Sequence, residues 1–197
     1  MHKLVSVEPG SRELIFDSGQ RFSYDLLVAV PPHRAPKAVI EAGLTNEAGW
    51  ISVNPRTLAT NQPGVYAIGD VTSIPIPGRW KPDVPLMLPK AGVFAHAQAT
   101  VVARRIAAEF AQQSCETTFC GDGYCMLEAG DDLAGFAFGN FFAEPSPDVQ
   151  LRRIGKAWHI GKVLFEKWWL APVGVRRSLL GSVLKSGARH YGISLTL

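Results

Sequence analysis

The apolar positions of the chain follow two different periods. Leu4 to Val7 and Glu13 to Phe16 are short apolar stretches around Pro9-Gly10-Ser11, which predicts two strands joined by a turn. A turn at Asp17-Ser18-Gly19-Gln20 leads past Phe22 to the run Leu26 to Val30, read as an apolar strand that Pro31-Pro32 ends. Residues 35–60 are mixed, with a helical turn expected over Ala38 to Ala42 and a short strand over Ile51 to Val53. After the turn Asn61-Gln62-Pro63-Gly64, the run Val65 to Ile68 is short enough for a fully buried strand, and Gly69-Asp70 follows it.

Beyond Asp70 the prolines at 75, 77, 82, 85 and 89 predict a loop. The helical period then takes over. Ala91 to Gln112 is alanine-rich, with Val93, Phe94, Ala97, Val101, Val102 and Ile106 at helical spacing. Cys125 to Ala129 and Ala134 to Ala143 read as two strands around Gly130-Asp131-Asp132, a hairpin turn. Ile160 to Leu170 and Val175 to Ala188 read as two helices, punctuated by Pro172-Val173-Gly174.

At 197 residues, 47% hydrophobic and 19% charged, the chain has the composition of a soluble globular protein with one or two cores. No run of apolar residues is long enough for a transmembrane helix. The stretch after Met1-His2-Lys3 is too short for a secretory signal, so no signal peptide is expected in this chain. The net charge of +3 conceals a division: residues 151–197 hold nine Lys/Arg against one acid, Glu166. Such asymmetry predicts a basic face that meets an anionic partner. No nucleic-acid-binding motif accompanies it, so an anionic membrane surface is the expected partner and the protein a peripheral membrane protein. Trp168-Trp169 beside basic residues suits either a core or a membrane interface. The three cysteines, Cys115, Cys120 and Cys125, are an odd number with no zinc spacing, so neither a metal site nor a disulfide framework is expected.

Two places carry candidate chemistry. A glycine and a carboxylate beyond a strand suit a ribose or polyol hydroxyl at the sheet's carboxyl edge. Pro89-Lys90-Ala91-Gly92 opens a helix, whose N-terminus suits an anion or a ring carbonyl. The segment Thr60 to Asp70 resembles the second flavin-binding motif of flavoprotein disulfide reductases with two dinucleotide-binding domains. Gly123-Tyr124-Cys125-Met126-Leu127-Glu128-Ala129-Gly130, together with Gly155 to Lys162 and Phe165-Glu166-Lys167, narrows the likeness. In order and spacing these segments resemble the C-terminal half of sulfide:quinone oxidoreductases and flavocytochrome sulfide dehydrogenases, from about Val5 to Trp169.

That resemblance implies an α/β fold: the C-terminal part of a two-dinucleotide-binding-domain flavoprotein, its FAD domain incomplete, followed by a β-hairpin and amphipathic helices. Residues 1–34 would end the second nucleotide-binding domain. Residues 35–115 would be the C-terminal part of the FAD-binding domain. Residues 116–197 would be the hairpin and a basic segment facing membrane and quinone. The resemblance implies FAD as cofactor, with Gly69 and Asp70 at its ribityl-phosphate region and Lys90, Gly92 and Lys162 near the isoalloxazine. It implies Cys125 as a redox cysteine that receives sulfide sulfur, and Tyr124 and Phe165 as walls of a quinone site. A thiolate is the nucleophile such chemistry needs.

On the residues alone other readings stay open. Cys125 on an apolar strand also suits an inert buried thiol. Lys90 and Lys162 also suit solvated surface positions, and Tyr124 and Phe165 core positions. No Gly-x-Gly-x-x-Gly loop occurs in the sequence, so the site for the FAD pyrophosphate is missing and an N-terminal part or partner chain is expected to supply it. The alternatives are a type II NADH:quinone oxidoreductase-like flavoprotein and a non-catalytic membrane- or protein-binding fragment.

Overall fold

The computed structural model describes residues 3–193, 195 and 197, and divides the chain into two units, Met1–His33 and Arg34–Leu197. Met1 and His2, which head the segment read for a signal, lie outside the described residues.

In the first unit, β1 (Leu4–Glu8), β2 (Glu13–Phe16) and β3 (Arg21–Ser23) form an antiparallel meander in sequential order. Phe16 and Phe22 meet edge to face at 5.6 Å, and Arg21 pairs with Glu13 at 3.0 Å. The strand expected over Leu26 to Val30 does not form. Leu26, Val28 and Val30 are exposed by 81%, 87% and 83%. An apolar run becomes a strand only where a neighbouring strand accepts its backbone groups, and no strand of this sheet does so.

The second unit begins with α1 (Lys37–Glu41), where the helical turn was expected, and β4 (Ile51–Ser52), which pairs in parallel with β5 (Thr72–Ser73). The strand expected over Val65 to Ile68 is reduced to a single bridge between Ala59 and Tyr66. Gly69–Val71 then forms a 3-10 turn, with Gly69 at φ +69. The proline-dense stretch is a hairpin rather than a loop: β6 (Pro75–Lys81) pairs with β7 (Val84–Met87). Both strands of a two-stranded ribbon are edges, where proline's missing N–H costs little.

Helix α2 spans Gly92–Phe110, close to the expected bounds. Its Phe94 and Val101 join Leu58, Ile74 and Phe119 in the core of this unit. Beyond it, β8 (Asp122–Gly130), β9 (Leu133–Asn140) and β10 (Asp148–Gly155) form a second meander. The β8–β9 turn works because Gly130, Asp131 and Asp132 all take positive φ, which glycine and aspartate tolerate.

The two-residue period of β8 sorts its side chains between two faces. Tyr124, Met126 and Glu128 stand opposite Phe138, Phe136 and Ala134, while Cys125 lies in register with Ala137 and Leu151. Helix α3 (Lys156–Leu170) covers the first face, with Trp158 stacked on Phe136 at 5.2 Å and Phe165 edge-on to Tyr124 at 5.8 Å. The opposite face meets α2 at Gly123, where an added Cβ would lie 2.2 Å from the Phe94 ring. Helix α4 (Val175–His190) returns along α3, with Gly181 against Trp168. Arg177 secures the turn between them, lying 4.5 Å over the Trp168 ring and donating to the carbonyls of Trp169 and Ala171 at 3.3 and 3.0 Å. Among the described residues no helix is long and apolar enough to cross a membrane.

Candidate functional site

Gly69, Asp70 and Lys90 line one cleft, with Thr72, Pro89 and Gln98. The Gly69 amide donates to Gln98 Oε1 at 2.6 Å, and Thr72 Oγ1 donates to the Gly69 carbonyl at 2.7 Å. Both bonds fix the turn that presents Asp70, whose side chain is exposed. Lys90 folds back over the turn, donating to the carbonyls of Asp70 and Thr72 and lying 3.6 Å from the Trp50 ring centre. Desolvation holds the Lys90 pKa below the ordinary lysine value, opposed by the charge of Asp70. Next to this cleft α2 starts at Gly92, and no side chain caps its first turn. A carboxylate beside an uncapped helix N-terminus offers acceptors for hydroxyls and donors for a carbonyl.

A second groove joins α2 to α3. It is lined by Gly92, Val93, Phe165, Glu166, Trp169 and Leu170. Phe165 also meets Tyr124, Trp168 and Trp169 within 5.8 Å, which makes the wall of this groove an aromatic cluster. Burial raises the pKa of the Tyr124 phenol, so it stays neutral. Gly92 and Phe165 therefore share one groove although they stand far apart in sequence, and Tyr124 packs against Phe165.

Lys162 lies on the same side of the sheet but turns to two carboxylates, Glu128 at 3.1 Å and Glu166 at 2.7 Å. Its hydrogen bonds to Glu166 and Glu128 raise its pKa, and the bond from Lys162 lowers that of Glu128. His159 extends the cluster, with Nδ1 3.5 Å from Glu128 and Nε2 3.6 Å from Asp132. Cys125 is placed apart from all of these. Its thiol is free and exposed on the opposite face of the sheet from Tyr124 and Lys162.

Three residues of these clusters, Gln98, Trp50 and His96, carry no signal in the sequence reading. Gln98 is 1% exposed and Trp50 covers Lys90, yet neither has a local signal, because each acts across a long sequence separation. His96, one turn beyond Gly92, rests on Trp168 and Trp169 at 5.9 and 5.2 Å. Glu166 was legible as a partner, since it follows Lys162 by four residues on a helix.

No family model matches the chain. Over 81 residues it is 31% identical to a mitochondrial sulfide:quinone oxidoreductase of Mus musculus, a match covering 38% of this chain and 18% of that protein. It is 28% identical over 147 residues to a sulfide-quinone reductase of Aquifex aeolicus, covering 73% of this chain and 33% of that protein. The solved structure of the Aquifex aeolicus sulfide:quinone oxidoreductase superposes with a TM-score of 0.69 at 24% identity, over 86% of this chain and 40% of that one. The chain thus spans two fifths or less of the length of these relatives. In sequence and in its α/β fold, the chain is sulfide:quinone oxidoreductase-like, similar to the C-terminal part of an FAD-dependent pyridine nucleotide-disulfide oxidoreductase.

Proposed function

We propose that the chain forms part of a flavoprotein that passes electrons from sulfide, through Cys125 and FAD, to a quinone held against Tyr124 and Phe165. The observation that most supports this reading is the placement of Cys125 and Tyr124 on opposite faces of one sheet. Consecutive strand residues give the sulfur chemistry and the quinone chemistry separate compartments, so neither substrate meets the other directly. The exposed Cys125 sulfur is accessible. Oxidised to a disulfide with a second cysteine of the whole protein, it would be attacked by sulfide, and the thiolate expelled as the S–S bond breaks would carry the electron pair on to the flavin.

The residues present fit a flavin. Asp70 would accept hydrogen bonds from ribityl hydroxyls, with Gly69 allowing close approach of the backbone. The N-terminal amides at Gly92 would face the polar edge of the ring, and Lys90 would lie beside it. When bound, the flavin would supply the two-electron relay between thiolate and quinone. Lys162 lies one turn before Phe165 on α3, and Glu128 and Glu166 hold its ammonium. Exchanging one of these carboxylates for the ring, it would offset negative charge that develops there. The pyrophosphate loop would come from another part of the protein or from a partner chain.

The basic tail supports a membrane surface as the place of this reaction. Leu170, Val173 and Val175, between Lys167 and the pair Arg176-Arg177, and Leu179 just beyond that pair, are exposed by 63% or more. Exposed apolar residues framed by cations suit the interface of an anionic bilayer, where a quinone resides.

The test is a pair of half-reactions in the FAD-loaded protein that contains this chain. Cys125→Ser is expected to abolish flavin bleaching by sulfide while quinone still reoxidises chemically reduced flavin. Phe165→Ala is expected to do the reverse. Undiminished sulfide-dependent bleaching in Cys125→Ser would overturn the role of the cysteine. Failure of FAD to stay with the protein through gel filtration, in any combination of parts, would overturn the flavin reading.

A further inference from the structure

A cavity of about 320 Å³ lies between α3, α4 and the α3-bearing face of the sheet. Its walls are almost wholly apolar, with Met126 and Phe136 from the sheet, Trp158 and Leu164 from α3, and Leu184 from α4. Close-packed interiors leave few spaces larger than a water, and this volume falls in the ~300–1,000 Å³ range of ligand sites.

Two helical glycines, Gly161 on α3 and Gly187 on α4, also face the cavity. A Cβ built on either meets nothing within 4 Å. Glycine is a poor helix former, so two of them at one cavity keep open a space that other residues would occupy.

The ligand class follows from what surrounds the cavity. Ile160 and Leu164 line both the cavity and an adjoining groove that carries Lys156 and Lys167. His159 and Asp132 also line that groove, and they face each other at 3.6 Å. Among the described residues neither lysine forms an ion pair. An apolar chamber beside two unpaired cations is complementary to an anionic amphiphile. A neutral quinone has no use for the lysines, and the groove at Gly92 and Phe165 lies on another side of α3.

We propose that this cavity takes one acyl chain of an anionic phospholipid, with the headgroup in the groove that Lys156 and Lys167 line. The proposal rests on the membrane-surface reading and deepens it. The protein then does more than lie on the bilayer: it draws one lipid tail out of the leaflet and uses it to complete the packing between α3, α4 and the sheet.

Methyl labelling of methionine reads the cavity directly, because Met126 lines it and Met87, in β7, does not. The protein is placed in bicelles of equimolar phosphatidylcholine and phosphatidylglycerol, the latter carrying a nitroxide near the end of one acyl chain. The Met126 methyl signal is expected to vanish while that of Met87 persists. Gly187→Leu, which fills the cavity, is expected to restore Met126 without lowering the melting temperature; Gly161→Leu serves as an independent second filling variant. Protein that binds the bicelles with Met126 unbroadened overturns the cavity proposal alone. Protein that does not bind anionic bicelles overturns the membrane reading and the proposal with it. Equal broadening from a nitroxide-bearing neutral polyisoprenoid, or from labelled lipid in purely phosphatidylcholine bicelles, overturns the anionic-lipid assignment.

Discussion

Gln98, on α2, accepts the amide proton of Gly69 at 2.6 Å, across 29 residues of sequence. Its side chain is among the most buried polar groups of the protein, and it ties the helix to the turn that presents Asp70. Gln98→Leu keeps the volume and removes the acceptor. A buried N–H left unpaired costs about 1–3 kcal/mol, so the denaturation midpoint is expected to fall by a corresponding amount. Under the flavin reading, FAD retention falls with it. An unchanged midpoint in urea would show that the turn is held by other contacts.

Glycines that look alike in the sequence differ sharply in what an added methyl would meet. At Gly139 a Cβ would stand 1.9 Å from the Asp148 carbonyl oxygen, so Gly139→Ala forces β9 and β10 apart. At Gly187 the space is open and the backbone helical. Gly139→Ala is expected to destabilise by about 1–3 kcal/mol or more. Gly187→Ala is expected to be neutral, or to stabilise by up to ~1 kcal/mol. Thermal denaturation of the two variants side by side checks the contrast, and equal effects would refute it.

The Glu128–Lys162–Glu166 cluster makes stability depend on pH in a defined direction. The Glu128 pKa is lowered in the folded protein, so its contribution is present above the ordinary carboxylate value of 4.5 and is lost as pH falls through the lowered one. The Lys162 pKa is raised, so its contribution is present below 10.5 and is lost as pH rises through the raised value. Lys162→Met should therefore lower the melting temperature near neutral pH, with the difference closing at both extremes. The groups are partly exposed, so added salt should shrink the difference as well. A difference independent of pH and salt would assign the effect to packing instead.

Thiol accessibility offers a check that needs no cofactor. Cys120 and Cys125 are exposed, and Cys115 is half-buried. Brief treatment of the native protein with iodoacetamide is expected to modify Cys120 and Cys125 ahead of Cys115, as read by peptide mass spectrometry. Protection of Cys125 would mean that its sheet face is covered in solution.

Local pattern made the helices and hairpins legible, because their partners are near in sequence. The period of Val93 to Ile106 marks α2, and Gly130-Asp131-Asp132 marks the β8–β9 turn, since both depend on backbone preferences within a few residues. The runs Leu26 to Val30 and Val65 to Ile68 misled, because apolar content states which side chains favour burial and not which strand lies alongside. Strand β10 has no legible alternation, because all of its residues but Gly155 are exposed and Arg152 and Arg153 are consecutive charges. The proline hairpin escaped because proline argues against strands only where both edges are paired. The candidate residues are named through resemblance alone, whereas their grouping depends on contacts such as Trp50 with Lys90 that have no local trace.

Alternation along β8 makes the segment between Gly121 and Gly130 tolerant of one kind of change and intolerant of another. Replacing Leu127 or Met126 by a similar residue alters one contact. Deleting or inserting a single residue would exchange the addresses of all its neighbours, sending the cysteine beneath α3 and the tyrosine to the open side. In descendants of this gene, drift in β8 should therefore appear as substitutions, while its count of residues stays frozen: the spacing, more than any one side chain, is what is inherited.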